Sequence, residues 1–309
     1  MRKAFIRKMM EFAAKDPSVI LVTGDLGFNF FEEYSQRFPE QFLNVGTCEQ
    51  SMAGISAGLA MAGRKVFMYS IGNFPTLRCL EQIRNDICYH ELPVFIITNG
   101  GGMAYGYLGM SHHGTEDISV MRSLPEMTVC APADPLEVES LMDFILRRGK
   151  PAFLRMNRGG EPEIHDQIPE ITAPEFLKQH VSPEADTILI STGEIGNLLD
   201  HVRQKLAQSH IEVNTFLCPI VKPLPALPAD WFGGQIKWIV TIEENNMIGG
   251  LGSALAEALA SRPAHPVLLR IGMPDQYCSV VGKQDYLRNY YCISPEKIAE
   301  SIIAERKKW

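Results

Sequence analysis

Through the first half of the chain, short runs of β-branched and apolar residues alternate with stretches whose apolar positions recur at helical spacing. The runs are VILVTG (19–24), KVFMYS (65–70), PVFIIT (93–98), MTVCAP (127–132) and AFLRM (152–156). Helical periodicity covers 74–89 and 135–148, and the opening MRKAFIRKMMEFAAKD reads as an amphipathic helix. Strand and helix in alternation predict a parallel sheet covered by helices on both faces. A polar, proline-containing stretch then breaks the pattern, which restarts with TILIST (187–192), VNTFLCP (213–219), KWIVTIEE (237–244) and PVLLRIG (266–272). The predicted fold is α/β with two parallel-sheet domains, 1–165 and 186–309, joined by a linker over 166–185.

Composition narrows the function classes. At 309 residues and 46% hydrophobic, the chain has material for two ordinary domain cores. A net charge of −7 without any long Lys/Arg run argues against nucleic acid or an anionic membrane surface as partner. No apolar run reaches the roughly 20 residues of a membrane span, and the N-terminus lacks the apolar stretch and cleavage site of a signal peptide. Seven cysteines, with no CxxC among them, fit a reducing cytoplasm better than a disulfide framework.

Candidate chemistry gathers in NVGTCEQSMAGISAGLAMAG (44–63), where the acid Glu49 heads a stretch of small and apolar residues. Thr47 and Gln50 form a capping-box pattern, which predicts a helix from Cys48 with Glu49 in its first turn. An acid there is favoured by the exposed N–H groups by about 0.3–1 kcal/mol and needs no function. Ala53, Gly54, Ala57 and Gly58 make a stripe of small residues. Helical glycines cost about 1 kcal/mol each, so the stripe implies close approach of another helix or of a ligand. The residues alone leave both readings open.

The stretch GTCEQSMAGISAGLAMAG resembles a segment of transketolase and of 1-deoxy-D-xylulose-5-phosphate synthase. The resemblance continues through HHGTEDISVMRSLPEMTVCAPADP (112–135) and, more loosely, through EENNMIGGLGSALAEAL (243–259). It implies a thiamine diphosphate-binding pyrimidine domain followed by a transketolase C-terminal domain. Glu49 then matches the glutamate that shares a proton with N1′ of the cofactor's aminopyrimidine, a sharing that exclusion of water favours. Phe74 matches the aromatic residue that stacks on that ring, with Tyr69 as the second candidate, and Asp25 matches another family position in the cofactor-binding half. His112 corresponds to the histidine facing the substrate's carbonyl and hydroxyls. Arg158, with Arg2 as a further candidate, matches arginines that clamp the substrate phosphate. No second histidine or cysteine stands at i+3 or i+4 of His112 or His113, so a metal site is a weak reading of the pair, and no metal ligand is assigned to this chain.

Departures from the family pattern matter too. Leu108 stands where the family has an aspartate that reads a substrate hydroxyl, which leaves the donor sugar open. NGGGMAYGYLG (99–109) predicts a flexible, reshaped substrate loop. The family's Gly-Asp-Gly metal-binding start is also missing, because GDLGFN (24–29) lacks the second glycine. The resemblance therefore implies that an N-terminal partner subunit supplies the diphosphate and Mg2+ ligands, in an α2β2 heterotetramer with sites at subunit interfaces. In that arrangement the second domain serves mainly dimer contacts and architecture. The implied activity is cytoplasmic transfer of a two-carbon ketol unit between sugar phosphates. Alternatives are the β subunit of a 2-oxo acid dehydrogenase or deoxyxylulose-phosphate synthase-like enzyme, and a non-catalytic scaffold subunit.

Overall fold

A computed structural model describes residues 1–308. The first half follows the predicted alternation. In chain order it runs α1 (Arg2–Lys15), β1 (Val19–Thr23), α2 (Glu32–Arg37), β2 (Phe42–Asn44), α3 (Glu49–Met61), β3 (Lys65–Ile71), α4 (Leu80–Gln82), β4 (Val94–Asn99), α5 (Asp117–Ser123), β5 (Thr128–Cys130), α6 (Pro135–Arg148) and β6 (Ala152–Met156). The second half contains β7 (Leu177–His180), β8 (Thr187–Thr192), α7 (Leu199–Ala207), β9 (Val213–Leu217), β10 (Ile220–Lys222), β11 (Trp238–Asn246), α8 (Leu251–Ala260), β12 (Val267–Met273), α9 (Gln284–Tyr290) and α10 (Pro295–Arg306).

Two sheets result, a seven-stranded one ordered β10-β5-β6-β4-β3-β1-β2 and a five-stranded one ordered β12-β11-β8-β9-β7. Only β10 in the first and β7 in the second run antiparallel to their neighbours. Strands β1, β4 and β6 are buried along their whole length, as unbroken apolar runs must be when helices cover both faces. Side chains alternate between those faces. Ile20, Val22, Val66 and Met68 pack with Ala53 and Ala57 of α3, whereas Val19, Leu21, Phe67 and Tyr69 pack with Phe5 and Met9 of α1 and Val138 and Leu141 of α6.

Helix α6 forms where its sequence signals it. The side chain of Asp134 accepts from Glu137 N at 2.8 Å, Pro135 takes the first turn, and Gly149 ends the helix in the left-handed region. The second oxygen of Asp134 accepts from Ile164 N at 2.9 Å and His165 N at 3.2 Å, tying down the chain that leaves β6.

Three expectations need correcting. The stretch read as a linker, 166–185, contributes β7, which completes the second sheet by pairing with β9. The helix expected over 74–89 is a loop through Cys79, a short α4 and a π-helical turn Ile83–Cys88, because Pro75 removes a backbone donor near its start. Helix α3 begins at Glu49 with Cys48 as its N-cap and no side-chain cap, so Thr47 does not form the capping box. The Cys48 thiol donates instead to the Val45 carbonyl at 2.9 Å. Among the described residues no helix is long and apolar enough to cross a membrane.

The start of α8 is capped from a strand. Glu243, fully buried in β11, accepts from Leu251 N at 2.8 Å and Gly252 N at 2.9 Å. Burial outweighs these donors and pushes its carboxyl up to about 7. The folded protein therefore holds this proton between about pH 4.5 and 7, where the unfolded chain has released it, so the contribution is fully present at low pH and lost as pH rises through 7. Wild-type unfolding free energy should fall across that interval by about 3 kcal/mol more than that of Glu243→Gln. Urea titrations of both proteins at several pH values measure the difference, and parallel curves would contradict it.

Candidate active site

Parallel β1, β3, β4 and β6 deliver the segments that follow them to one edge of the first sheet, where ligands of open α/β sheets bind. Four stretches meet there: Gly24 to Asp25, Gly72 to Arg78, Gly100 to His113, and Asn157 to Arg158.

Glu49 opens α3 beside this edge and is only 2% exposed. Its Oε2 accepts a hydrogen bond from an Arg78 terminal nitrogen at 2.7 Å. Among the described residues nothing donates to Oε1. The Arg78 guanidinium also lies over the Phe74 ring, 4.6 Å from its centroid. The His112 ring meets Phe74 at 5.1 Å between centroids, tilted by 66°. Glu49, Phe74 and His112, singled out separately in the sequence, thus converge around an arginine that was not. A carboxyl oxygen left without a donor on a largely buried side chain, and a half-exposed aromatic ring, suit a flat heteroaromatic group carrying a basic nitrogen, such as an aminopyrimidine.

The two histidines diverge. His112 is half-buried, with Nδ1 3.1 Å from Ser111 Oγ, which leaves Nε2 available. His113 is buried, and burial lowers its pKa, so its imidazole is neutral.

Tyr69 is not brought to Glu49. It points to the opposite face of the sheet, stacked on Phe5 at 5.5 Å and edge-on to Phe31 at 4.9 Å. Burial holds its phenol above the ordinary range, with the charge of Arg2 opposing the shift. The role of second stacking candidate is incompatible with this direction, which follows from strand alternation. Asp25 is exposed, and its carboxylate accepts from Asn44 Nδ2 at 3.2 Å while Asn44 Oδ1 accepts from Gly46 N at 3.0 Å. The pair shapes the turn leading into Glu49.

Arg2 and Arg158, far apart in sequence, line one cavity of about 690 Å3 together with Lys3, Arg7 and Phe30. Arg2 lies over Phe30 at 4.3 Å, and Arg158 over Tyr105 at 5.4 Å. Tyr105 in turn accepts from Asn99 Nδ2 at 2.6 Å, which ties it to the end of β4.

The glycine-rich loop is pinned, contrary to the flexible loop expected. Gly102 pairs with Gly114 in a β-bridge, and Glu244 Oε1 accepts from Met103 N at 2.6 Å. A Cβ on Gly102 would fall 2.3 Å from that oxygen, and one on Gly101 would fall 2.4 Å from Arg155 Nε. These glycines allow close approach rather than motion. Glu244 is held by Gln284 at 2.8 Å and by Arg288 Nε at 2.5 Å, and Arg288 also pairs with Glu194. From below, Arg155 donates to the carbonyls of Gly114 at 2.7 Å and Glu244 at 2.6 Å. The second domain thus anchors the loop that carries His112, which is an architectural role. Leu108 and Tyr107 are exposed on the same loop. Arg78 and this anchoring network escaped the sequence reading because their partners are distant along the chain.

Comparison with known proteins identifies both halves of this fold. The pyrimidine binding domain model of transketolase matches residues 1–161, and the transketolase C-terminal domain model matches residues 178–298. A putative transketolase C-terminal section of Methanocaldococcus jannaschii is 33% identical over 100% of this chain and 96% of its own length. One subunit of the apulose-4-phosphate transketolase of Phocaeicola vulgatus is 30% identical, over 99% of this chain and 97% of its own. A split-gene transketolase solved as an inactive beta4 tetramer superposes with a TM-score of 0.86 at 26% identity, covering 98% of this chain and 97% of that one. With both domain models matched in order and these relatives aligned nearly end to end, the chain belongs to the transketolase family, whose chemistry depends on thiamine diphosphate, and it carries that family's pyrimidine-binding and C-terminal domains.

Proposed function

We propose that this chain is the β-type subunit of a split transketolase that moves a two-carbon ketol unit between sugar phosphates in the cytoplasm. What carries the reading is the convergence of Glu49, Phe74 and His112 at one sheet edge, with the Arg2–Arg158 cavity on the same edge. Glu49 and Phe74 hold the aminopyrimidine. A partner chain, of the kind implied by relatives that are single subunits of a larger transketolase, brings the diphosphate and Mg2+ ligands, and two such pairs form the α2β2 complex. Bound thiamine diphosphate supplies the carbon nucleophile that carries the two-carbon unit.

This chain's residues do the rest. Glu49 Oε1 holds a proton against the ring nitrogen, and small residues around it keep water from competing for that proton. His112 Nε2 faces the substrate's oxygens, where a neutral imidazole can accept a hydroxyl proton and return it. Arg158 offers a two-pronged donor to the substrate phosphate, with Arg2 across the cavity. Leu108 offers no hydrogen bond to a donor hydroxyl, so substrates bearing the usual hydroxyl pattern gain nothing from this position.

The test is co-expression with the adjacent open reading frame, followed by thiamine diphosphate and Mg2+ binding and an assay against a panel of ketose and aldose phosphates. Ketol transfer by the complex is expected; cofactor binding with no transfer to any aldose phosphate would leave the scaffold reading. In the active complex, Arg158→Ala should raise KM for phosphorylated substrates roughly 10- to 100-fold, as loss of a charged hydrogen bond does, while an unchanged KM would remove Arg158 from the phosphate site. His112→Ala should cut turnover by about 100-fold or more, whereas His113→Ala should act mainly on stability. The reverse ranking would exchange their roles.

A further inference from the structure

Glu49 has no basic neighbour in its own stretch of sequence, and the tertiary fold supplies one from 29 residues further along. Arg78 does two things at once. It donates to Glu49 Oε2 at 2.7 Å and lays its guanidinium over Phe74 at 4.6 Å. A planar guanidinium can make both contacts without strain, which an ammonium cannot. His112 also meets the Phe74 ring. Arg78 and Phe74 together therefore link the start of α3, the loop after β3 and the loop after β4.

A glutamate carboxyl turns easily about its last bond, so a buried one with a single ligand to bind could present either oxygen. Arg78 removes that freedom. With Oε2 engaged in a charged hydrogen bond, Oε1 is left as the oxygen facing the open side of the site. The neighbouring groups add no competing charge. Burial pushes the Cys79 thiol up to about 12, and the Cys48 thiol donates to a carbonyl.

We propose that Arg78 is a positioning residue for the cofactor. It locks the carboxylate plane of Glu49 so that Oε1 meets the aminopyrimidine ring nitrogen, and its positive charge favours leaving the shared proton on that nitrogen. This rests on the thiamine diphosphate reading above. Arg78 itself is half exposed, so its ion pair adds little to folding. Substituting it leaves the protein folded while changing how it handles cofactor.

The experiment uses the assembled full-length complex with Arg78→Ala, Arg78→Lys, Glu49→Gln and the double substitution Glu49→Gln with Arg78→Ala. Two quantities are read: the thiamine diphosphate dissociation constant, from quenching of tryptophan fluorescence, and hydrogen–deuterium exchange at the cofactor's C2 under saturating cofactor. Arg78→Ala should slow exchange roughly 10- to 100-fold, with the thermal midpoint unchanged, and Arg78→Lys, which restores the charge on Glu49 without the second contact on Phe74, should recover only part of the loss. Arg78→Ala should also weaken cofactor binding when Glu49 is present and have no further effect on affinity in the Glu49→Gln background. Wild-type exchange in Arg78→Ala at saturation, or an undiminished affinity loss on the Glu49→Gln background, overturns the proposal and leaves the functional reading intact. Normal exchange in Glu49→Gln alone overturns the functional reading and the Arg78 proposal with it.

Discussion

Parallel pairing of β1, β3, β4 and β6 is the constraint on which the site depends. Parallel strands cannot be joined by tight turns, so each must be followed by a crossover, and every crossover starts at the same edge of the sheet. Residues 25, 49, 74, 112 and 158 lie along one edge of the sheet for that reason. The same pairing requires both faces of the sheet to be covered, which explains the unbroken apolar runs of β1 and β4. It also explains why Tyr69 and Met68, adjacent in sequence, serve opposite faces.

A second constraint is electrostatic and joins the domains. Arg155 and Asp117 from the first domain meet Glu244, Arg288 and Glu194 from the second, with most of these groups withdrawn from water. Buried ion pairs contribute little net stability, yet removing one partner strands a charge at a cost of about 3–5 kcal/mol. Such a cluster therefore specifies an arrangement more than it strengthens one. Here the arrangement it specifies is the backbone of the loop carrying His112, through Met103 N and the close approach of Gly101 and Gly102. The crossing of β10 into the first sheet adds a covalent reason for the halves to keep their register.

Much of this was readable from residue order. The apolar runs located β1, β3, β4, β5 and β6 to within a residue or so, and Asp134, Pro135 and Gly149 marked both ends of α6, because these signals act over a few residues. Short edge strands were not readable: β2, β7 and β10 have three or four residues each, and their pairing partners decide them. Thr47 illustrates the same limit. Its capping pattern is correct locally, but the turn held by Asn44 and Asp25 places Cys48 at the helix start instead.

The sequence by itself determined the α/β class and the two-domain order, and it singled out Glu49, Phe74 and His112, which the fold brings together, since periodicity and motif are properties of neighbours along the chain. Only the tertiary structure decided that Arg78 holds Glu49, that Arg2 and Arg158 share a cavity, and that Glu244 of the second domain anchors the glycine-rich loop. Each of these is a contact between distant segments. Charge and hydrogen-bonding energies depend on separation in space, and separation along the chain carries almost no information about it.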